Sequence, residues 1–334
     1  MAMLEVNHLS TEFKTENGAV KAVRDVSFKV EKGEVLGIVG ESGSGKSQTM
    51  FSIMGLLSGN GEVTEGDIKI DGKDISPKNY SPKDYESLMS SIRGNDMAMI
   101  FQDPMTFLNP VLKIGTQLIE PILNHNDVSK QEAEARAIEL MRKVGIPSPE
   151  TRLNQYPFEF SGGMRQRIII AIALACNPKI IIADEPTTAL DVTIQAQVLD
   201  LIAHLKDEID SGIIMITHDL GVVASICDRI NIMYGGKVVE SGTADEIFYD
   251  PKHPYTIGLL SCISNPEEKE KKELHPIPGS PPDLLNIENY CPFADRCEKA
   301  MKICKMRMPE EKQYSNTHTC SCWLSHPLAQ GKGE

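Results

Sequence analysis

The segment that most restricts what this chain can become is Gly40-Glu41-Ser42-Gly43-Ser44-Gly45-Lys46-Ser47. It reads G-x-x-x-x-G-K-[ST], with the apolar run Val35 to Val39 before it and the helix-compatible stretch Gln48 to Leu57 after it. A strand feeding a glycine-rich turn into a helix is the frame that a phosphate-cradling loop needs. The glycines let the backbone curl until its N–H groups face a β-phosphate, and the helix N-terminus adds favourable partial charge. Lys46 then reaches the β- and γ-phosphates, and Ser47 ligates Mg²⁺. The spacing predicts a nucleoside triphosphate site built from Gly40, Ser42, Gly43, Ser44, Gly45, Lys46, Ser47 and Gln48.

Two further patterns fit such a site. The run Lys179-Ile180-Ile181-Ile182-Ala183 ends in Asp184-Glu185. An Asp closing a buried strand beside a phosphate loop holds Mg²⁺, and the next carboxylate polarises an attacking water. Ser161-Gly162-Gly163-Met164-Arg165-Gln166-Arg167 precedes a helical stretch that Ser161 can cap, presenting another anion-binding N-terminus. Taken alone, each pattern reads equally well as ordinary structure; beside Lys46 they gain weight.

Leu4 to about Ile100 reads as short strands with one helix, the one after Gly45. Val26 to Val30 alternates, and Gly66 to Ile70 leads into the turn Asp71-Gly72. Val128 to Val144 reads as helix, with Ser129 and Glu132 as a capping box and Gly145 and Pro147 as the stop. Helix is expected again at Met164 to Cys176, Thr193 to Ile209 and Leu220 to Cys227, with strands at Lys179 to Ala183 and Gly212 to Thr217. Such alternation gives an α/β fold with a mostly parallel sheet covered by helices. Ile230 to Met233 and Lys237 to Glu240 form a hairpin through Gly235-Gly236. Past about Ala244 the composition shifts to Pro, Lys and Glu, including the charged run Glu267 to Glu273, so a boundary is placed there.

Lys and Arg number 34 against 47 Asp and Glu, a net charge of −13 over 334 residues. That balance argues against a nucleic-acid or anionic-membrane binder, although backbone N–H groups hold phosphate whatever the global charge. Met1 to Ser10 does not read as a signal peptide. No stretch reaches the roughly 18 apolar residues of a spanning helix. The longest, Ile168 to Cys176, is bounded by Arg167 and Asn177. The expectation is a cytosolic chain, or one held at a membrane by other proteins.

In chain order, the phosphate loop, Phe101-Gln102, Ser161-Gly162-Gly163 with Gln166, Asp184-Glu185, Ala189-Leu190-Asp191 and Thr217-His218-Asp219 closely resemble the ATP-binding-cassette ATPases over roughly Leu4 to Thr243. The resemblance implies a P-loop ATPase core, an antiparallel β subdomain and an inserted α-helical subdomain at about 103–176, all within a nucleotide-binding domain of residues 1–245. It also implies a head-to-tail dimer with two ATPs between subunits, each site taking its phosphate loop from one chain and its Ser-Gly-Gly signature from the other. By the same analogy Phe13 stacks on adenine, Gln102 contacts Mg²⁺ and the attacking water, and Glu185 is the general base. His218 contacts the γ-phosphate, and Asp191 shapes the opposite site. The signature departs from the commoner pattern at Phe160 and Met164, but Ser161, Gly162 and Gly163 are intact.

His253-Pro254-Tyr255-Thr256-Ile257-Gly258-Leu259-Leu260, Ile277-Pro278-Gly279 and Cys291-Pro292-Phe293 leading to Arg296-Cys297 resemble the C-terminal extension of oligopeptide and dipeptide importer ATPases, here residues 246–334. With Phe101 to Met105 and Met164 to Arg167, they resemble the first of two ATPase subunits of a bacterial peptide importer; nickel importers of the same branch are similar. The implied partners are a second homologous ATPase subunit, two transmembrane permease subunits and an extracytoplasmic substrate-binding protein, with this chain peripheral on the cytoplasmic face. Five of the eight cysteines, Cys291, Cys297, Cys304, Cys320 and Cys322, crowd this tail. In a reducing compartment that crowding points to a metal more than to disulfides. The resemblance implies a four-iron four-sulfur cluster on Cys291, Cys297, Cys304 and Cys322, with Cys320 the alternative fourth ligand and structural zinc the alternative metal. A soluble cassette ATPase of translation or DNA maintenance predicts two cassettes or a long coiled-coil insertion, and neither is present. An iron-sensing binding module is a third reading, which metal content would discriminate.

Overall fold

The computed structural model describes residues 2–101, 107–187, 191–208, 210–262 and 276–330. They divide into two compact units, one of Met1–Glu5, Lys29–Val35 and Ile68–Ile216, the other of Val6–Phe28, Leu36–Asp67 and Thr217–Glu334. The expected Gln102, the Ala189-Leu190 pair and the charged run from Glu267 lie outside the described residues.

β1 (Ala2–Thr15), β2 (Gly18–Glu31), β4 (Gly61–Ile70) and β5 (Lys73–Asp74) form one sheet in the order β2-β1-β4-β5. The alternation read from Val26 to Val30 holds: Val26, Phe28 and Val30 are buried while Ser27 and Lys29 are exposed. β3 (Val35–Val39) is buried at all five positions, as a continuous apolar run in a covered parallel sheet should be. It pairs in parallel with β9 (Arg229–Tyr234), Leu36 opposite Arg229 and Val39 opposite Ile232. β9 turns through Gly235-Gly236 into antiparallel β10 (Lys237–Thr243). The tail adds β11 (Lys312–Gln313) and β12 (Thr319–Cys320), with Cys320 opposite Glu240 on β10. The helices of the second unit are α1 (Lys46–Met54), α7 (Leu220–Ile226), α8 (Ala244–Tyr249) and α9 (Pro254–Ser261).

The first unit holds the parallel strands β6 (Met97–Ile100), β7 (Ile180–Asp184) and β8 (Gly212–Thr217), ordered β6-β7-β8. Its helices are α2 (Pro82–Ile92), α3 (Ile114–His125), α4 (Lys130–Lys143), α5 (Gly162–Ala173) and α6 (Val192–Glu208). Helices α3, α4 and α5 pack on one another, and Leu118, Ile122, Ala137, Met141, Ile168 and Ile169 on them are almost fully buried. Each large apolar side chain so buried contributes about 1.5–3 kcal/mol. The α4 capping box forms as expected, with Ser129 and Glu132 exchanging bonds. The expectation of one helix between Gly45 and Ile100 is corrected by α2. Ser81 caps it by accepting from the Asp84 N–H, and Pro82 occupies the first helical turn, where its missing N–H has no intrahelical partner to lose.

Candidate active site

The phosphate loop curls between β3 and α1. Gly45 caps α1 with φ at 101°, and Gly43 stands at φ 78°. A side chain at Gly45 would collide with a neighbouring backbone, since its Cβ would sit 2.4 Å from the Ala22 carbonyl oxygen. Lys46 is buried, and its ammonium donates to the carbonyl oxygens of Gly40 at 2.7 Å and Glu41 at 3.0 Å. The Lys46 charge is therefore held over the loop before any phosphate arrives. The buried Ser44 hydroxyl has no hydrogen-bond partner among the described residues. Phe13 from β1 and Gly43, Gly45 and Gln48 line one pocket, together with Val20, Ala22 and Leu284. The Phe13 ring thus offers an aromatic face beside the loop.

Sequence reasoning missed Leu284. It arrives because the tail pairs with β2: Lys21 N–H donates to the Leu284 carbonyl at 3.0 Å, and Asn286 N–H to that of Ala19 at 3.0 Å. No local pattern announces a bridge between residues so far apart in the chain.

In the other unit, Asp184 closes β7 and is buried, and Glu185 follows with a left-handed φ of 46°. Its N–H donates to the Ile216 carbonyl at 2.9 Å. A non-glycine residue held in that region costs of order 1–3 kcal/mol, and such strain clusters at functional sites. Ser161 caps α5 as expected, accepting from the Met164 N–H at 3.4 Å. Gly163 has no room for a side chain, because its Cβ would lie 2.5 Å from Ile194 Cγ2. Asp191 caps the start of α6: its Oδ1 accepts from the Ile194 N–H at 3.0 Å. His218 is exposed just past β8, followed by Asp219, which caps α7 by accepting from the Gly221 N–H at 2.8 Å.

Four of the five tail cysteines, Cys291, Cys297, Cys304 and Cys322, line a single small cavity with His253, Phe293 and Trp323. Cys320 does not line it. It sits on β12, buried, and pairs with β10. Burial pushes the Cys291 thiol up to about 12 and that of Cys322 up to about 11, so both are neutral thiols in the absence of a metal. Among the described residues no three His, Cys, Asp or Glu side chains close tightly enough to hold a single metal ion. Tetrahedral zinc takes thiolates at about 2.3 Å from one centre. An iron–sulfur cluster instead shares four thiolates among several irons.

Residues 23–188 match the ABC transporter family, and residues 239–304 match the family described as oligopeptide/dipeptide transporter, C-terminal region. The chain is 53% identical to the oligopeptide transport ATP-binding protein OppD of Bacillus subtilis (strain 168), over 98% of this chain and 90% of the relative. It is 50% identical to the dipeptide transport ATP-binding protein DppD of the same organism, over 98% and 96%. Among solved structures, a dimeric bacterial ABC transporter cassette superposes with a TM-score of 0.62 at 28% identity, covering 72% of this chain and 99% of that one. A dimeric ATP-binding cassette in a post-hydrolysis state bound to ADP and Pi superposes with a TM-score of 0.62 at 27% identity and the same coverage.

Proposed function

This chain belongs to the ABC transporter ATPases that carry the oligopeptide/dipeptide transporter C-terminal region, and from that premise we infer how its residues work. It is the ATP-hydrolysing subunit of a peptide importer, coupling ATP binding and hydrolysis to uptake of oligopeptides or dipeptides. The observation that carries this reading is a phosphate loop with Lys46 already poised on it, in a chain about half identical to peptide-transport ATP-binding proteins over nearly its whole length.

Phe13 stacks on the adenine, and the N–H groups from Gly43 to Ser47 with Lys46 hold the phosphates. Ser47, Asp184 and Gln102 are the Mg²⁺ ligands, whose ion neutralises charge on the transferring phosphoryl group. Glu185 orients and deprotonates the attacking water, and His218 contacts the γ-phosphate. Ser161, Gly162 and Gly163 complete the site of a second, homologous subunit, with Asp191 shaping it. ATP closes that dimer and hydrolysis reopens it; the dimeric form of a related cassette holding ADP and Pi supports this cycle. Among the described residues no helix is long and apolar enough to cross a membrane. The pathway then belongs to two separate permease subunits, which receive peptide from an extracytoplasmic binding protein, with this chain docked on their cytoplasmic face.

Cys291, Cys297, Cys304 and Cys322, which line one cavity that Cys320 does not reach, would hold a four-iron four-sulfur cluster, with structural zinc the alternative on the same four thiols. A metal held there would tie together a tail built of loops and short strands.

The test is uptake of labelled peptides in cells whose only copy carries Glu185→Gln. Loss of uptake, with ATP still bound by the purified variant, is the expected result. Undiminished uptake and hydrolysis overturn the assignment of the base.

A further inference from the structure

We propose that Arg296 is a positioning residue for the phosphate loop, through which the C-terminal extension sets the affinity of this chain for ATP. The proposal rests on the reading of that loop as the ATP site.

Arg296 lies on the tail, next to Cys297, yet its guanidinium reaches the second residue of the phosphate loop. Nη1 donates to Glu41 Oε2 at 2.5 Å and Nη2 to Oε1 at 3.0 Å, a two-pronged pair. The remaining donors are also engaged: Nε on the Pro278 carbonyl at 2.8 Å, Nη1 on Tyr234 Oη at 3.1 Å and Nη2 on the Ile277 carbonyl at 3.3 Å. A guanidinium has five N–H groups, and all five are matched here. Its side chain is 7% exposed and that of Glu41 28%. This is a fixed strut, unlike a long surface pair that exchanges with water.

A second contact from the tail acts on the same residue. The Glu41 N–H donates to Tyr255 Oη at 2.8 Å, and Tyr255 is fully buried against Tyr234 and Phe293, at ring separations of 4.5 and 5.4 Å. The side chain and the N–H of Glu41 are thus both held by groups on or packed against the tail, which fixes how its peptide faces. The carbonyl of the same residue receives the Lys46 ammonium at 3.0 Å. A chain of contacts runs from Arg296 through Glu41 to the phosphate-binding lysine. All three tail contacts are made to Glu41 and none to the residues from Gly43 to Ser47, so the strut organises the loop rather than binding the nucleotide.

Releasing the strut lets the loop sample other shapes, and ATP must then reorganise it on binding. The loss falls equally on ground and transition states, so KM rises while kcat holds. Arg296→Gln and Glu41→Gln are each expected to weaken ATP binding about tenfold, and the double variant about tenfold as well, because both break one link. Arg296→Lys, which keeps the charge but not the fork, falls between wild type and Arg296→Gln.

The experiment measures ATP affinity by equilibrium binding to the full-length protein, and KM and kcat by hydrolysis, for these variants beside Lys46→Ala. Loss of binding in Lys46→Ala with near-normal affinity in both Glu41→Gln and Arg296→Gln overturns the proposal and leaves the ATP site standing. Full binding in Lys46→Ala removes the premise instead. If Arg296→Gln does not fold, Glu41→Gln decides alone, since it leaves the tail unaltered. A double variant weakened about a hundredfold, or a fall in kcat at constant KM, also overturns it, because independent damage rather than a shared link is then at work.

Discussion

Two glycines of the phosphate loop offer a controlled comparison. Both have positive φ, 78° at Gly43 and 101° at Gly45, so alanine at either carries the left-handed penalty of roughly 1–2 kcal/mol. Alanine also narrows the unfolded ensemble, which returns about 0.4–1 kcal/mol. The two differ in what the new methyl group meets. Nothing lies within 4 Å of a Cβ at Gly43, whereas one at Gly45 would sit 2.4 Å from the Ala22 carbonyl oxygen and 3.3 Å from Gly236 Cα. Both obstacles are backbone and neither can rotate aside, so an overpacking term of about 1–3 kcal/mol is added. Gly43→Ala should therefore lose about 1 kcal/mol and Gly45→Ala about 2–4 kcal/mol. At about 2–4 °C per kcal/mol for a unit of this size, Tm falls by roughly 2–4 °C and 4–16 °C respectively. Thermal unfolding of the full-length variants without nucleotide separates these values from any effect on ligand contacts. Equal melting of the two variants, or a larger loss at Gly43, refutes the steric argument.

The cysteine cage predicts that Cys297→Ser lowers bound iron and Tm, while Cys320→Ser leaves iron content near wild type; iron analysis of the purified proteins reads both, and equal losses discard the ligand set. Burial pushes the Glu246 carboxyl up, but bonds from Ser315, the Thr243 N–H, Thr317 and the Thr243 hydroxyl outweigh it and hold its pKa at about 2. Because the folded value lies below the unfolded one, the stabilisation is present at neutral pH and is lost as pH falls from about 4.5 towards 2. Discounted for partial exposure, it amounts to about 1–2 kcal/mol. Glu246→Gln should accordingly lower Tm at pH 7 and flatten its fall between pH 5 and about 3; an unchanged acid profile removes Glu246 from the account.

The glycine-rich loop was legible because a phosphate cradle is a local object. Its strand, turn and helix are contiguous, and the residues that shape it are the residues that use it. The same holds for Ser161 and Ser129 as caps, whose partners lie three residues on. The helix at Pro82–Ile92 was missed although both of its signals were present, Ser81-Pro82 with Asp84 at its start and Tyr85, Leu88, Met89 and Ile92 at helical spacing. The strand ending in Asp184-Glu185 was legible as a pattern, but the left-handed backbone at Glu185 was not, since no local preference puts a glutamate there.

The sequence by itself determined the phosphate loop, the alternation of strand and helix from Lys179 to Cys227, and the crowding of cysteines in the tail, all set by short-range periodicity and residue chemistry. Only the tertiary structure decided that Cys322 rather than Cys320 shares the cavity of Cys291, Cys297 and Cys304, because β12 commits Cys320 to pairing with β10. It alone decided that Leu284 borders the Phe13 pocket and that Arg296 grips Glu41, 255 residues earlier in the chain. Contacts between residues so distant depend on how strands pair and cores close, and no window of sequence carries that information.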